Sequence, residues 1–177
     1  VALADQVGVQ ARTLGPGLHF VTPFIYKCTK YNIFTIKEGQ IGVVEAIDGR
    51  PIESGFIFAK RVSGHNLYQN GEAFLQNGGE KGPQIDVLPP GSYRINPFLF
   101  KVSIATVTVI DNNEVGMVSA NDGQALEPGA LLGKHVENHN HFQNGSAFLN
   151  KGGQRGPQID ILLPGTYRIN PKLFNVN

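Results

Sequence analysis

The chain repeats itself in register, and this repeat limits the possible folds more than any other feature. A shift of 74 positions (139 − 65) places His65-Asn66 on His139-Asn140 without a gap. Between residues 62–102 and 136–176, roughly two-thirds of the paired positions are identical. A fixed period of this length is typical of arrays whose small units stack on their neighbours. The repeat therefore favours a scaffold or spacer over a protein built around one catalytic centre.

The same shift divides the chain into three parts. It places Leu14-Gly15-Pro16-Gly17 on Leu88-Pro89-Pro90-Gly91. We predict the tail of a partial module at residues 1–36, a first full module at 37–110 and a second full module at 111–177. Because the chain begins inside a module, we expect it to be a piece of a longer protein.

Composition excludes several partners. The 15 basic and 14 acidic residues are balanced and not clustered, so the chain has no basic face for nucleic acid. No apolar run reaches the roughly 18–20 residues that a membrane-spanning helix needs. We therefore expect membrane contact, if the protein makes it, through parts outside this chain. A single cysteine excludes an internal disulfide.

The hydrophobic pattern predicts a mainly β fold of the α+β kind, with a few strands and one short helix in each module of about 74 residues. Residues 104–110 alternate polar and apolar side chains, as a strand does. Further strands are expected at 114–118 and 131–137. Residues 141–150 are expected to form the short helix, which Gly152-Gly153 would end.

A hairpin is predicted at the end of each module. In the second, strands 158–162 and 166–170 would join across Leu163-Pro164-Gly165. This register places Asp160 opposite Arg168, and the same register in the first module places Asp86 opposite Arg94, as pairs that fix the strand alignment. The predicted structural residues are those of the Pro-Gly turns and the Asp–Arg pairs: Pro16, Gly17, Asp86, Pro90, Gly91, Arg94, Asp160, Pro164, Gly165 and Arg168.

One segment has the composition of a metal site. If residues 135–141 form a strand, then His135, Glu137, His139 and His141 project from one face, because residues two apart share a face. Three imidazoles and a carboxylate suit zinc or nickel, and such a site would allow a metal-dependent hydrolase. The alternative is a solvated strand face that happens to carry histidines. We favour this alternative, and predict no cofactor and no enzymatic activity.

The segment Leu14-Gly15-Pro16-Gly17-Leu18-His19-Phe20, followed by Pro23-Phe24, resembles the opening of SPFH/band 7 proteins, the stomatin–prohibitin–flotillin superfamily. The later returns Pro90-Gly91-Ser92-Tyr93 and Pro164-Gly165-Thr166-Tyr167 are similar to expanded versions of that unit. The resemblance implies a membrane-associated scaffold without catalysis of its own that oligomerises into rings or cages. The tandem arrangement of opening modules departs from the family pattern.

Two functions follow from the sequence. The first is a non-enzymatic scaffold or assembly segment of a membrane-organising, SPFH-like protein that binds copies of itself by edge or lateral packing. The alternative is an extracellular or filament-forming structural protein at the cell surface, whose repeats act as spacers or adhesive modules. The weakly charged loops, rich in asparagine, glutamine and glycine, suit this alternative.

Overall fold

The computed structural model describes residues 1–4 and 6–177, and in them the protein is mainly β. The first group of elements, here called the first sheet group, has five strands and one helix. Their order is β1 Phe34–Ile36, β2 Gln40–Ala46, α1 Gly71–Gln76, β3 Gly82–Leu88, β4 Gly91–Tyr93 and β5 Phe100–Thr106.

The second sheet group follows in the same element order. It comprises β6 Thr108–Ile110, β7 Gly116–Ala120, α2 Gly145–Asn150, β8 Gly156–Leu162, β9 Gly165–Tyr167 and β10 Phe174–Val176. Five of these six elements begin 74 positions after their counterparts in the first group. Neither helix in the described part of the chain is long and apolar enough to cross a membrane.

Each group contains a three-stranded and a two-stranded antiparallel sheet. In the first group the strand order is β3-β2-β5, beside the pair β1-β4. In the second it is β10-β7-β8, beside the pair β6-β9. The register between β2 and β3 shifts between Val43 and Glu45, and that between β7 and β8 shifts between Met117 and Ser119. These irregularities interrupt the ladder at the same place in both groups.

The helices are short and are fixed at both ends. The side chains of Asn70 and Asn144 accept a hydrogen bond from the third helical backbone N–H, at 3.0 Å in each case. The Gly153 N–H donates to the Phe148 carbonyl after the helix, at 2.8 Å. A Cβ on Gly153 would lie 2.4 Å from the ring of Phe148, so only glycine fits there. This confirms the predicted helix, although it begins at Gly145.

Two apolar cores hold the sheets. The first contains Phe74 and Phe100 with other residues of its own group, and it also includes Ala11 from the N-terminal segment. The second contains Phe148 and Phe174, and it also includes two residues of the first group, Phe58 and Ile85. The cores of the two sheet groups are therefore not independent, because side chains of the first group complete the core of the second.

Three predictions about strands are wrong. The pattern at residues 104–110 is not one strand, because Val107 separates β5 from β6, which belong to different sheets. Residues 131–137 form no strand, and only Gly133 makes an isolated bridge, to Gln158. The predicted hairpin is absent as well, since β8 pairs with β7 and β9 pairs with β6.

Candidate functional site: the contact between the sheet groups and the histidine turn

A buried asparagine joins the second sheet group to the first. Asn170 is 4% exposed, and its Nδ2 donates to the carbonyls of Gln84 and Ile85, at 3.1 and 2.9 Å. Both carbonyls lie in β3 at the point where its register with β2 shifts. Its Oδ1 accepts from the Lys172 N–H at 3.0 Å. Both the NH2 group and the oxygen of the Asn170 amide are therefore hydrogen-bonded. Removal of this side chain would leave buried backbone carbonyls without their donor.

The same contact occurs once more along the chain. Asn96, 74 positions before Asn170, donates to the carbonyls of Gln10 and Ala11, at 2.9 and 3.2 Å. Gln10 and Ala11 themselves lie 74 positions before Gln84 and Ile85. The N-terminal segment thus binds the first sheet group as β3 of the first group binds the second.

A buried carboxylate forms a second connection between the groups. Asp122 is 0% exposed, and its Oδ2 accepts hydrogen bonds from the backbone N–H groups of Ile57 and Phe58, both at 2.9 Å. Its Oδ1 accepts from the Gly123 N–H at 2.8 Å. Two backbone N–H groups of the first sheet group therefore donate to a buried carboxylate of the second, and these hydrogen bonds replace those that the carboxylate would make with water.

Apolar contacts and an exposed ion pair surround these polar ones. Phe58 and Ile85 are 3% and 7% exposed, and both pack into the core of the second group. Lys172 Nζ lies 3.0 Å from Glu45 Oε2, across the same boundary. Because both partners of this pair are substantially exposed, we attribute most of the stabilisation to the buried contacts.

The histidine-rich segment forms a left-handed turn in place of the predicted strand. Asn140, His141 and Phe142 have φ of 47°, 50° and 63°. The corresponding residues of the first group, 66–68, have φ of 45–61°. Consecutive non-glycine residues in this region are unfavourable by roughly 1–2 kcal/mol each, so other contacts must hold the turn.

His139 supplies one of those contacts. Its Nδ1 accepts the backbone N–H of Phe142 at 2.8 Å, and His65 Nδ1 accepts that of Tyr68 at the same distance. A backbone N–H can only donate, so Nδ1 is the unprotonated nitrogen and a neutral ring carries its proton on Nε2. The rings of His139 and Phe142 also lie 4.3 Å apart. The histidine is thus a structural part of the turn in both groups.

The predicted pairing of aspartates with arginines across a hairpin is wrong. Asp86 accepts from Arg61 Nε at 2.8 Å, not from Arg94. In the second group Asp160 contacts His135, with Nδ1 at 2.9 Å from both carboxylate oxygens, not Arg168. The reason is topological: the chain leaves β3 and β8 after the turn and enters a different sheet, so each arginine, which directly follows β4 or β9, does not lie opposite the aspartate.

The predicted metal-ligand set is not assembled either. His135 and His139 do lie together, but their third neighbour is Asp160, and the candidate donor atoms of these three lie within 4.8 Å of one another. Glu137 lies in a turn outside this group, and the ring of His141 lies 5.9 Å from that of Tyr167. His139 could bind a metal through Nε2 as a neutral ligand only by moving its proton to Nδ1, which would break the bond from Phe142.

Burial determines the titration of the two structural histidines. Burial lowers the pKa of His139, while the neighbouring Asp160 carboxylate opposes this shift. Burial also lowers the pKa of His65, and Asp86 opposes it in the same way. Burial is the larger effect at both histidines, so the lowered pKa favours the neutral ring, which is the form that accepts the backbone hydrogen bond.

Each Pro-Gly turn is spanned by a hydrogen bond from a side chain to the backbone carbonyl four residues before it. The hydroxyls of Tyr93 and Tyr167 donate to the carbonyls of Pro89 and Leu163, at 2.7 and 2.8 Å, across Pro90-Gly91 and Pro164-Gly165. At Pro16-Gly17 the ring of His19 takes the place of the tyrosine, with Nε2 at 2.8 Å from the Gly15 carbonyl oxygen. The turns at Pro90-Gly91 and Pro164-Gly165 lie where the chain crosses from one sheet to the next, and Gly91 and Gly165 are the first residues of β4 and β9.

Sequence reasoning missed the residues that join the sheet groups, Asn96, Asn170 and Asp122. The repeated motif Tyr-Arg-Ile-Asn-Pro contained both asparagines, and a buried polar role was a possible interpretation of them. Comparisons of the chain with protein-family models, with curated proteins and with solved structures found no match.

Proposed function

We propose that the chain is a non-catalytic assembly segment in which repeat modules of about 74 residues stack into a scaffold. The observation that carries this proposal is the recurrence of one contact: Asn96 binds the Gln10 and Ala11 carbonyls, and Asn170 binds those of Gln84 and Ile85. A contact that returns at the sequence period is the property by which repeat arrays extend.

The parent protein, on this proposal, is an SPFH-like organiser of membranes that self-associates. The support is the resemblance at Pro16-Gly17 and its two later copies, together with the open strand edges of the sheets. β5 and β10 each lie at the edge of a three-stranded sheet, where a neighbouring chain can add a strand. Membrane attachment would then come from parts outside this chain.

Light scattering of the purified chain over a concentration series tests the proposal. We expect a closed oligomer of defined mass, because lateral packing of identical modules favours closed symmetric assemblies. Species that grow without limit would favour the alternative, a filament or surface protein with spacer repeats. A chain that stays monomeric at the highest concentration would contradict assembly through these modules.

A further inference from the structure

The second sheet group ends in a surface whose counterpart in the first group is covered. Ile159 lies 74 positions after Ile85, and Leu132 lies 74 positions after Phe58. Ile85 and Phe58 are 7% and 3% exposed, whereas Ile159 and Leu132 are 57% and 45% exposed. We call the surface formed by Leu131, Leu132, Gln158 and Ile159 the Ile159 face.

The backbone of the Ile159 face has the conformation that receives a neighbour in the first group. Gln158 Nε2 donates to the carbonyls of Gln154 and Gly156, both at 2.7 Å, as Gln84 does to Glu80 and Gly82. An isolated bridge joins Gly133 to Gln158, as another joins Ala59 to Gln84.

The backbone acceptors on this face also match those used in the first group. In β3, the carbonyls of residues 84 and 85 accept the side chain of Asn170. Within the described residues, no side chain donates to the carbonyls of Gln158 or Ile159. The exposed apolar side chains and the carbonyl acceptors are therefore both in place before a partner binds. This preorganisation lowers the entropy cost of binding.

We propose that the Ile159 face is a docking surface for a further unit of this same repeat. The occupant would donate from the asparagine that corresponds to Asn170 to the carbonyls of Gln158 and Ile159. Its aspartate corresponding to Asp122 would accept the N–H groups of Leu131 and Leu132. Ile159 and Leu132 would complete its core, as Ile85 and Phe58 complete that of the second sheet group. This inference rests on the proposed function and names the surface by which the scaffold extends.

The established contact between the two sheet groups determines the choice of occupant. A second copy of the whole chain would present its first sheet group, where Asn96 already binds Gln10 and Ala11. That copy would have to release its N-terminal segment before it could bind. A repeat unit with an unoccupied asparagine and aspartate needs no such release.

An extended chain tests the inference directly. Residues 104–177 are appended once more after Asn177, which keeps the period of 74. We expect amide hydrogen exchange at Leu131 and Leu132 to slow by about 100-fold relative to the original chain, because these amides become buried donors. Amides in the appended copy of β8 report whether the added unit has folded.

Two matched variants identify the surface. Ile159→Asp should remove the added protection in the extended chain, and Ile161→Asp, at an exposed position of the same strand, should leave it. Both substitutions should leave exchange in the original chain unchanged. The inference is overturned if the added unit folds without protecting Leu131 and Leu132, if it fails to fold, or if the two variants behave alike. Protection in the original chain at high concentration would instead identify a second copy as the occupant and overturn the inference.

The outcome is separable from that of light scattering on the original chain. A monomeric original chain whose extended form shows the protection would refute assembly between molecules but retain docking between units. An oligomer whose extended form lacks the protection would refute the docking surface and leave the assembly proposal standing.

Discussion

Ile85 and Ile159 occupy the same position of the repeat in strands of the same length, yet one is 7% exposed and the other 57%. The N-terminal segment gives a second case. The N–H groups of Ile25 and Tyr26 both donate to the Thr22 carbonyl, as those of Leu99 and Phe100 donate to that of Asn96. Even so, Ile25 is 71% exposed and Leu99 is 0% exposed. Local conformation follows the sequence at both places, whereas burial depends on whether a neighbouring sheet is present.

The largest expected difference between equivalent positions is at this isoleucine. We expect Ile85→Ala to lower the free energy of unfolding by about 2–5 kcal/mol, because it leaves a cavity in the core of the second sheet group. Ile159→Ala should change it by less than about 0.5 kcal/mol, since the side chain is mostly in water. Urea unfolding of both variants measures the difference. Equal losses would mean that the first group does not complete the core of the second.

The next comparison is between Asn170, which joins the two sheet groups, and Asn175, which does not. Asn170→Ala should cost about 1–3 kcal/mol, because the buried carbonyls of Gln84 and Ile85 lose their donor. Asn175→Ala is the control, since Asn175 is exposed and its amide donates only to the side chain of Asn121, and it should stay within about 0.5 kcal/mol. Thermal unfolding of the two variants compares them.

Asn96→Ala should act more locally than Asn170→Ala. The carbonyls that it leaves belong to Gln10 and Ala11, and alanine contributes less apolar contact than Ile85 does. We therefore expect faster hydrogen exchange at Ala2 and Ala11, which bond to the Val9 and Ala2 carbonyls, while the second sheet group keeps its protection. Loss of protection throughout the chain would show that the N-terminal segment is needed for the whole fold.

The sequence predicted local structure better than it predicted which strands pair and which side chains join the sheets. Alternation and turn residues located β7, β8 and the helix at 145–150, because these features depend on neighbours along the chain. The strand partner of β8 was missed, since a Pro-Gly turn is compatible with a hairpin and with a crossing to another sheet. The histidine turn was missed because left-handed conformations of non-glycine residues have no periodic pattern. The joining asparagines were missed because burial between sheets is a tertiary property.

The smallest expected effect is a loss of stability in mild acid, and it compares the two histidine turns. The folded-state pKa of His65 and of His139 is lowered from 6.5 by burial. Between that lowered pKa and 6.5, the unfolded chain binds more protons than the folded one, so stability rises with pH there. The contribution of each histidine is therefore complete above pH 6.5 and is lost as the pH falls toward the folded pKa. Protonation of Nδ1 also removes the acceptor for the N–H of Phe142 or Tyr68.

A conservative variant isolates the contribution of His139. In His139→Asn, the side-chain oxygen lies close to the position of Nδ1 and can still accept the Phe142 N–H, but it does not titrate. We expect the variant to lose part of the acid dependence of the unfolding free energy, with the remainder due to His65. Hydrogen exchange at Phe142 should then become insensitive to mild acid beyond its intrinsic pH dependence, while Tyr68 stays sensitive. An unchanged pH profile would mean that the protonation of His139 does not contribute to the acid dependence of folding.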